Sequence, residues 1–248
     1  PRLKMLDPTF KMNYIADIEK NIRNGKYRTW DTPDAIRGVE IIQNNLYREL
    51  MRSEVLIGTQ VLPLKNATIL FANITNSTKL YASLGDQKTF LLIKDYVRIL
   101  SDIIRKCGGV PVKTIGGVVM GSFIDPSEAF QAAVKALRLL IKHSQNKPVN
   151  ERIEIKMGLH SGPVLMVTLN NLLDYIGLTV NTTLDITHTA LPNEIVMSQD
   201  IYSNRSVKRS ILSVTNTVQK QQIRFKDSPY DYTLYHTKIA NQKGTPKN

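Results

Sequence analysis

The order of strand-like and helix-like words between residues 66 and 169 limits this chain more than any other feature. Ala67-Thr-Ile-Leu-Phe-Ala72 is a short apolar run rich in strand formers. Ile74-Thr-Asn-Ser-Thr78 then opens a helical stretch that runs to about Lys106 and stops at Gly108-Gly109. Residues 110–114 and 118–123 read as two strands joined through Gly116-Gly117, a hairpin signal. Asp125-Pro126-Ser127-Glu128 starts a second helix that carries Ala129, Ala133, Ala136, Leu137 and Leu140 on one face. Residues 153–159 and 164–169 read as two more strands, parted by His160-Ser-Gly-Pro163. A helix over about 179–189, a strand at 194–197 and a last strand at 230–236 complete the pattern, with no internal repeat. The order β-α-β-β-α-β predicts an α+β fold, an antiparallel sheet with helices packed on one face.

Upstream, residues 1–65 read as an N-terminal extension with turn signals at Asp7-Pro8 and Asn24-Gly25. Thr32-Pro33-Asp34 marks a helix start, and Ile36, Val39, Ile42, Leu46 and Leu50 follow at three- and four-residue spacing. Arg37, Glu40, Asn44, Arg48 and Arg52 lie between them, which predicts one amphipathic helix over about 33–56. The domain itself is expected over 66–238, with a basic tail at 239–248.

Charge is unevenly placed. The chain carries a net +12, and residues 201–248 alone hold +7, around Arg205, Lys208, Arg209, Lys220, Arg224 and Lys226. Such a cluster suits nucleic acid, anionic lipid or an acidic partner. The stretch 203–224 has no interleaved aromatic residue, and no helix-turn-helix or RNA-recognition signature accompanies it. A solvated face or a contact inside a larger assembly is therefore the favoured reading. A scaffold contacting nucleic acid is the alternative, and it predicts binding that weakens steeply with salt.

Several chemistries drop out. The single cysteine, Cys107, excludes a disulfide framework and a cysteine-built zinc site, and reads as a half-buried residue at a helix end. His143, His160, His188 and His236 are scattered without metal-ligand spacing and read as structural. Ser161 lacks the Gly-x-Ser-x-Gly elbow, so serine hydrolysis is rejected. No apolar run approaches the roughly 20 residues of a membrane span. With no apolar signal-peptide core either, the expectation is an intracellular protein, cytoplasmic or organellar, and not secreted.

Taken in order, these words resemble the class III adenylate/guanylate cyclase catalytic domain over about residues 66–238. The similar segments are Ile69-Leu-Phe-Ala-Asn-Ile74 with Ser77-Thr78, Gly108-Gly109, Lys113-Thr-Ile-Gly116, Val119-Met120 with Phe123, and Ala129 through Ala136. Gly158-Leu-His-Ser-Gly-Pro163, Gly177-Leu-Thr-Val-Asn181, Glu194-Ile-Val-Met-Ser198 and the closing Tyr-Thr-Leu-Tyr235 follow. The resemblance implies a ferredoxin-like antiparallel sheet, and a dimer with its site at the interface.

It also implies a site chemistry, position by position. In the family, two carboxylates hold a pair of divalent ions that bind the triphosphate and help the ribose 3′-hydroxyl attack the α-phosphate. Asn73 stands where the first belongs and Gly117 where the second belongs. An amide keeps one neutral carbonyl and a glycine supplies no side-chain ligand, so no metal cofactor is expected and magnesium or manganese should bind poorly. Lys113 and Asp174 match the pair that reads adenine, and Asn181 matches the residue that orients the ribose. The arginine expected four residues after Asn181 is Asp185, which reverses the sign of an interaction with the phosphates. The segment Thr75-Asn-Ser-Thr78 keeps backbone amides suited to phosphate oxygens.

The resulting expectation is a catalytically inactive cyclase-like domain, a structural or regulatory subunit that meets a protein partner through the cyclase dimer face. Lys113, Asp174 and Asn181 are its nucleotide-binding candidates, with ATP held weakly in the absence of a metal. The alternative is the base-reading half of a heterodimeric adenylate cyclase that makes cyclic AMP from ATP. In that case another chain supplies the carboxylates.

Overall fold

In β1 (Val61–Ile74), residues Ala67, Ile69, Leu70, Phe71, Ala72 and Ile74 are all buried. Successive strand residues point to opposite faces, so this strand needs cover on both sides and belongs inside a sheet. The computed structural model describes residues 61–239 apart from Asn76, Asn170, Asn171, Asn216 and Asp227. The expected helix at 33–56 and the tail from residue 240 lie outside the described residues.

After β1 come α1 (Ser77–Leu84), α2 (Asp86–Lys106), β2 (Val110–Ile115), β3 (Val118–Phe123) and α3 (Pro126–Gln145). Then follow β4 (Ile155–Leu169), β5 (Leu172–Ile176), α4 (Leu178–Thr189) and β6 (Glu194–Ser198). The order ends with α5 (Gln199–Ser203), α6 (Arg205–Val214), β7 (Val218–Arg224) and β8 (Asp231–Lys238). The strands form one sheet in the order β2-β3-β1-β4-β6-β8-β7, with β5 paired to β4. β3 lies between β1 and β2 and runs antiparallel to both. With β4 on the other side of β1, this is the ferredoxin-like arrangement.

Local chemistry starts and stops the helices. Asp125 caps α3 by accepting from Ser127 N at 2.8 Å, and Pro126 sits in the first turn, where no N–H is needed. Gly108, at φ +84°, follows the end of α2 and lets Gly108 N and Gly109 N donate back to Arg105 O and Ile104 O, while Arg105 and Lys106 place positive charge in the last turn. Leu92, Tyr96, Leu100 and Ile104 of α2 join Ala129, Ala133, Leu137 and Leu140 of α3 in the main core, over Leu70 and Ala72 of β1. The alanine stripe lets α3 lie close to the sheet.

Four expectations change. The helix read from residue 75 to 106 is broken at Gly85, whose φ of +76° only glycine adopts readily. Thr89 Oγ1 donates to Leu80 O across that break at 3.0 Å. The two strands read at 153–159 and 164–169 are one strand, β4. Their apparent separator, Ser161-Gly-Pro163, reflects a close approach, because a Cβ at Gly162 would stand 2.6 Å from Thr179 Oγ1. The same hydroxyl donates to Pro163 O at 2.6 Å.

Helices also cover both faces rather than one. Ile195 and Met197 of β6 point into the main core, whereas Val196 packs with Ile186 and Ala190 of α4 on the opposite face. β1–β3, β2–β3, β6–β8 and β7–β8 pair antiparallel, whereas β4 and β6 run parallel. The described residues of 62–166 and 175–239 form one compact unit, and residues 167–174 fall outside it.

Candidate functional site

The end of β1 and the β2–β3 turn meet at one corner of the sheet. Asn73 is the register partner of Val118, and Ile74 N donates to Gly117 O at 3.1 Å. The two positions matched to the family's metal carboxylates are thus neighbours on adjacent chain segments. Gly116 turns the chain at φ +57°, and a Cβ at Gly117 would lie 3.1 Å from Ile74 Cβ. Beyond Ile74 the chain is anchored to β4's approach, where Thr75 N and Thr75 Oγ1 both donate to Glu154 O, at 2.8 and 3.1 Å. α1 begins two residues later at Ser77.

This corner does not fit a pair of divalent ions. Asn73 offers one neutral side-chain oxygen, and Gly117 offers only its carbonyl, already engaged by Ile74 N. Hard divalent cations take several oxygen ligands and favour carboxylates. Among the described residues, no group of three or more His, Cys, Asp or Glu side chains is placed to hold a metal ion.

The nucleotide-matched residues are carried by other elements. Lys113 is half-buried on edge strand β2, opposite Met120 and beside a register shift that follows Pro111. Asn181 is exposed in the first turn of α4, where its N–H donates to Gly177 O at 3.3 Å. It is therefore inside the helix, and Gly177, at φ +131°, is the residue before it. Asp185 is half-buried one turn further on, so Asn181 and Asp185 share a helix face. Asp174 is half-buried on β5, next to the fully buried Tyr175, and belongs to the segment outside the compact unit. Within one chain Lys113 and Asn181 are not brought together: α4 packs over β4 and β6, and β1 and β3 separate those strands from β2.

Two buried titratable groups, His160 and Glu194, are held by neighbouring side chains. His160, 9% exposed, places Nδ1 2.9 Å from Ser198 Oγ, with Asp200 Oδ2 at 4.0 Å. Burial pushes the imidazole below its usual value, and Asp200 offsets part of that. Because Ser198 and Asp200 approach the same ring nitrogen, the three do not form a nucleophile–base–orienter relay. Glu194, 2% exposed, accepts from Leu191 N at 2.8 Å and lies 3.2 Å from His236 Nδ1. Burial works to raise its carboxyl, but the hydrogen bonds from His236 and Leu191 and the nearby Lys238 hold it below the usual range. The other His236 nitrogen lies 2.8 Å from Gln221 Oε1.

One feature escaped sequence reasoning altogether. A cavity of about 250 Å³ is lined by Pro63, Leu64, Pro163, Val164, Leu165 and Gly177. Its walls come from three stretches distant in sequence, so no local signal pointed toward it. No helix among the described residues is long and apolar enough to cross a membrane.

The profile of the adenylate and guanylate cyclase catalytic domain matches residues 60–235. An adenylate cyclase of Anabaena cylindrica is 27% identical over 113 residues, covering 42% of this chain and 22% of that protein. This chain thus spans about a fifth of the length of the curated relative it matches. The crystal structure of the adenylyl cyclase CyaB from P. aeruginosa superposes with a TM-score of 0.57 at 22% identity, over 74% of this chain and 98% of that one. A dimeric guanylyl cyclase domain of the RhoGC fusion protein from the aquatic fungus Blastocladiella emersonii gives 0.55 at 24% identity, over 71% and 97%. At these identities the structural likeness establishes the fold. The profile match over most of the chain establishes more: the protein belongs to the adenylate and guanylate cyclase catalytic domain family.

Proposed function

We propose that this domain is a catalytically inactive cyclase-like module that acts as a structural or regulatory subunit of a larger assembly. One observation carries the reading: Asn73 and Gly117, the adjacent positions matched to the family's metal carboxylates, contribute no negative charge. A phosphoryl-type transfer that relies on divalent ions loses both its ligands and its charge compensation there. Asp185 supports the same conclusion. It shares a helix face with Asn181, and a carboxylate in place of a guanidinium repels the charge that develops on the phosphates. A homodimer repeats the deficit at both sites, so the contribution of this domain to its family's interface is contact rather than turnover. ATP binding, if retained through Lys113, Asp174 and Asn181, is weak without a metal.

A second reading is favoured by those same three residues. They are the set that a base-reading half of a heterodimeric adenylate cyclase needs when its partner supplies the carboxylates. The separation of Lys113 from Asn181 within one chain counts against it, because such a half must present both residues to one nucleotide. One assay distinguishes the two readings: cyclic AMP formed from ATP with manganese, by the purified chain and by the chain isolated with its native partners. The proposed reading expects no product in either sample. Product in the partnered sample that rises with Asp185→Arg establishes the second reading instead.

A further inference from the structure

The two edges of the sheet are built differently. β2 is blunted, since Pro111 has no N–H and the pairing register shifts between Pro111 and Lys113. β7 carries no proline or glycine and pairs with β8 through seven consecutive positions, from Val218 opposite Thr237 to Arg224 opposite Asp231. It ends the strand order, so among the described residues its outer side has no strand partner. Gln219, Lys220, Gln221, Gln222 and Arg224 are all exposed. A regular, uncovered edge presents a row of main-chain donors and acceptors that an extended chain can pair with.

The charge beside that edge is of one sign. Arg205, Lys208 and Arg209 are exposed on α6, and Lys220 is exposed on β7. Among the described residues none of these four pairs with a carboxylate, whereas Arg224 is held by Asp231 through two contacts of 2.7 Å. Lys208 Nζ lies 5.4 Å over the ring of Tyr202, which stacks on Tyr235 at 3.7 Å. Tyr235 is the register partner of Lys220, and register partners project to the same face. Lys208 and Lys220 therefore flank one aromatic stack at the rim of the β7 edge.

We propose that β7 and the α6 rim form a docking edge for an extended, acidic segment of a partner protein, which joins the sheet as an outer strand. Main-chain pairing supplies the geometry, and Lys208 and Lys220 select the charge. Nucleic acid fits less well, because the aromatic pair at this rim is closed to a base: Tyr202 and Tyr235 stack on each other at 3.7 Å, and Tyr235 is buried. The proposal is independent of the catalytic reading: β4, β6 and β8 separate this edge from the Asn73–Gly117 corner, and it involves no nucleotide.

The test uses the whole chain and a fluorescein-labelled decapeptide of alternating glutamate and threonine. Comparison probes are the same peptide N-methylated at alternate residues, a lysine–threonine peptide and polyuridylate. The expected result is binding of the glutamate peptide with slowed amide exchange over residues 218–224. Lys208→Glu with Lys220→Glu weakens that binding at least about tenfold, and N-methylation abolishes it. Equal binding of the N-methylated peptide, no change in exchange over 218–224, or tighter binding of polyuridylate than of the peptide overturns the proposal. If the double variant melts early, the N-methyl comparison on the unaltered chain decides.

Discussion

Two polar regions of this sheet handle charge in opposite ways. At the β1–β3 corner, Asn73 and Gly117, which the resemblance matches to the family's metal carboxylates, contribute no negative charge. Along the β6–β8 seam, Glu194 is almost wholly buried, yet its carboxylate is satisfied by Leu191 N and His236, and His236 in turn meets Gln221. A buried carboxylate persists only when its partners repay its desolvation. Here that investment lies in the seam that joins β6, β7 and β8, and the corner lacks it. The difference teaches that the fold has kept its buried charge where it serves pairing between strands.

The comparison breaks most sharply at Glu194. Glu194→Ala strips His236 and Leu191 N of their common acceptor, and leaving a buried donor unsatisfied costs about 1–3 kcal/mol. Urea unfolding should show that loss, and a change below about 1 kcal/mol would mean the seam is not a stabilising element.

Acid should act next, through His160. Its folded value lies below the ordinary 6.5, so the unfolded chain takes up the proton first. That contribution is complete above pH 6.5 and is lost as pH falls from there toward the folded value. Glu194, also depressed, adds its own loss only below its ordinary 4.5. Thermal midpoints should therefore fall between about pH 7.5 and about pH 5.5, less steeply in His160→Gln than in the parent chain. Identical slopes would refute the role given to His160.

The smallest effect sharpens the other side. Asn73→Asp with Gly117→Asp restores two carboxylates to neighbouring positions, and manganese should then raise the thermal midpoint where it leaves the parent chain unchanged. The Gly117 side chain needs Ile74 to yield by a few tenths of an ångström, so a modest loss of stability without metal is also expected. A manganese shift of equal size in both proteins would show that the corner is not where metal binds.

Sequence and structure agree where interactions are local. The span of β3 at 118–123 was legible because Gly116-Gly117 marks its turn, and α3 because Asp125 and Pro126 mark its start. β7 was not legible: Val-Gln-Lys-Gln-Gln-Ile-Arg has no apolar alternation, and it is a strand because β8 lies beside it. α5 and β5, five residues each, are too short for periodicity to show, whereas α6 was missed although Asn204 caps it and Val207 and Ile211 mark its buried face. At the candidate site, the matched residues could be named from sequence words, but their neighbourhood could not. Asn73 and Gly117 are 44 positions apart, and the β1–β3 register makes them adjacent.

The amino-acid order alone was enough to specify the β-α-β-β-α-β succession and the caps and turns of its first hairpin. These follow from periodicity, capping and glycine geometry, which act over a few residues. Tertiary structure decided the rest. It placed α4 on the second face, fused β4 across Pro163, paired Glu194 with His236, and left β7 as an unblunted edge. Each of those depends on which distant segments meet, and that is settled by the burial of apolar surface over the whole domain rather than by any local preference.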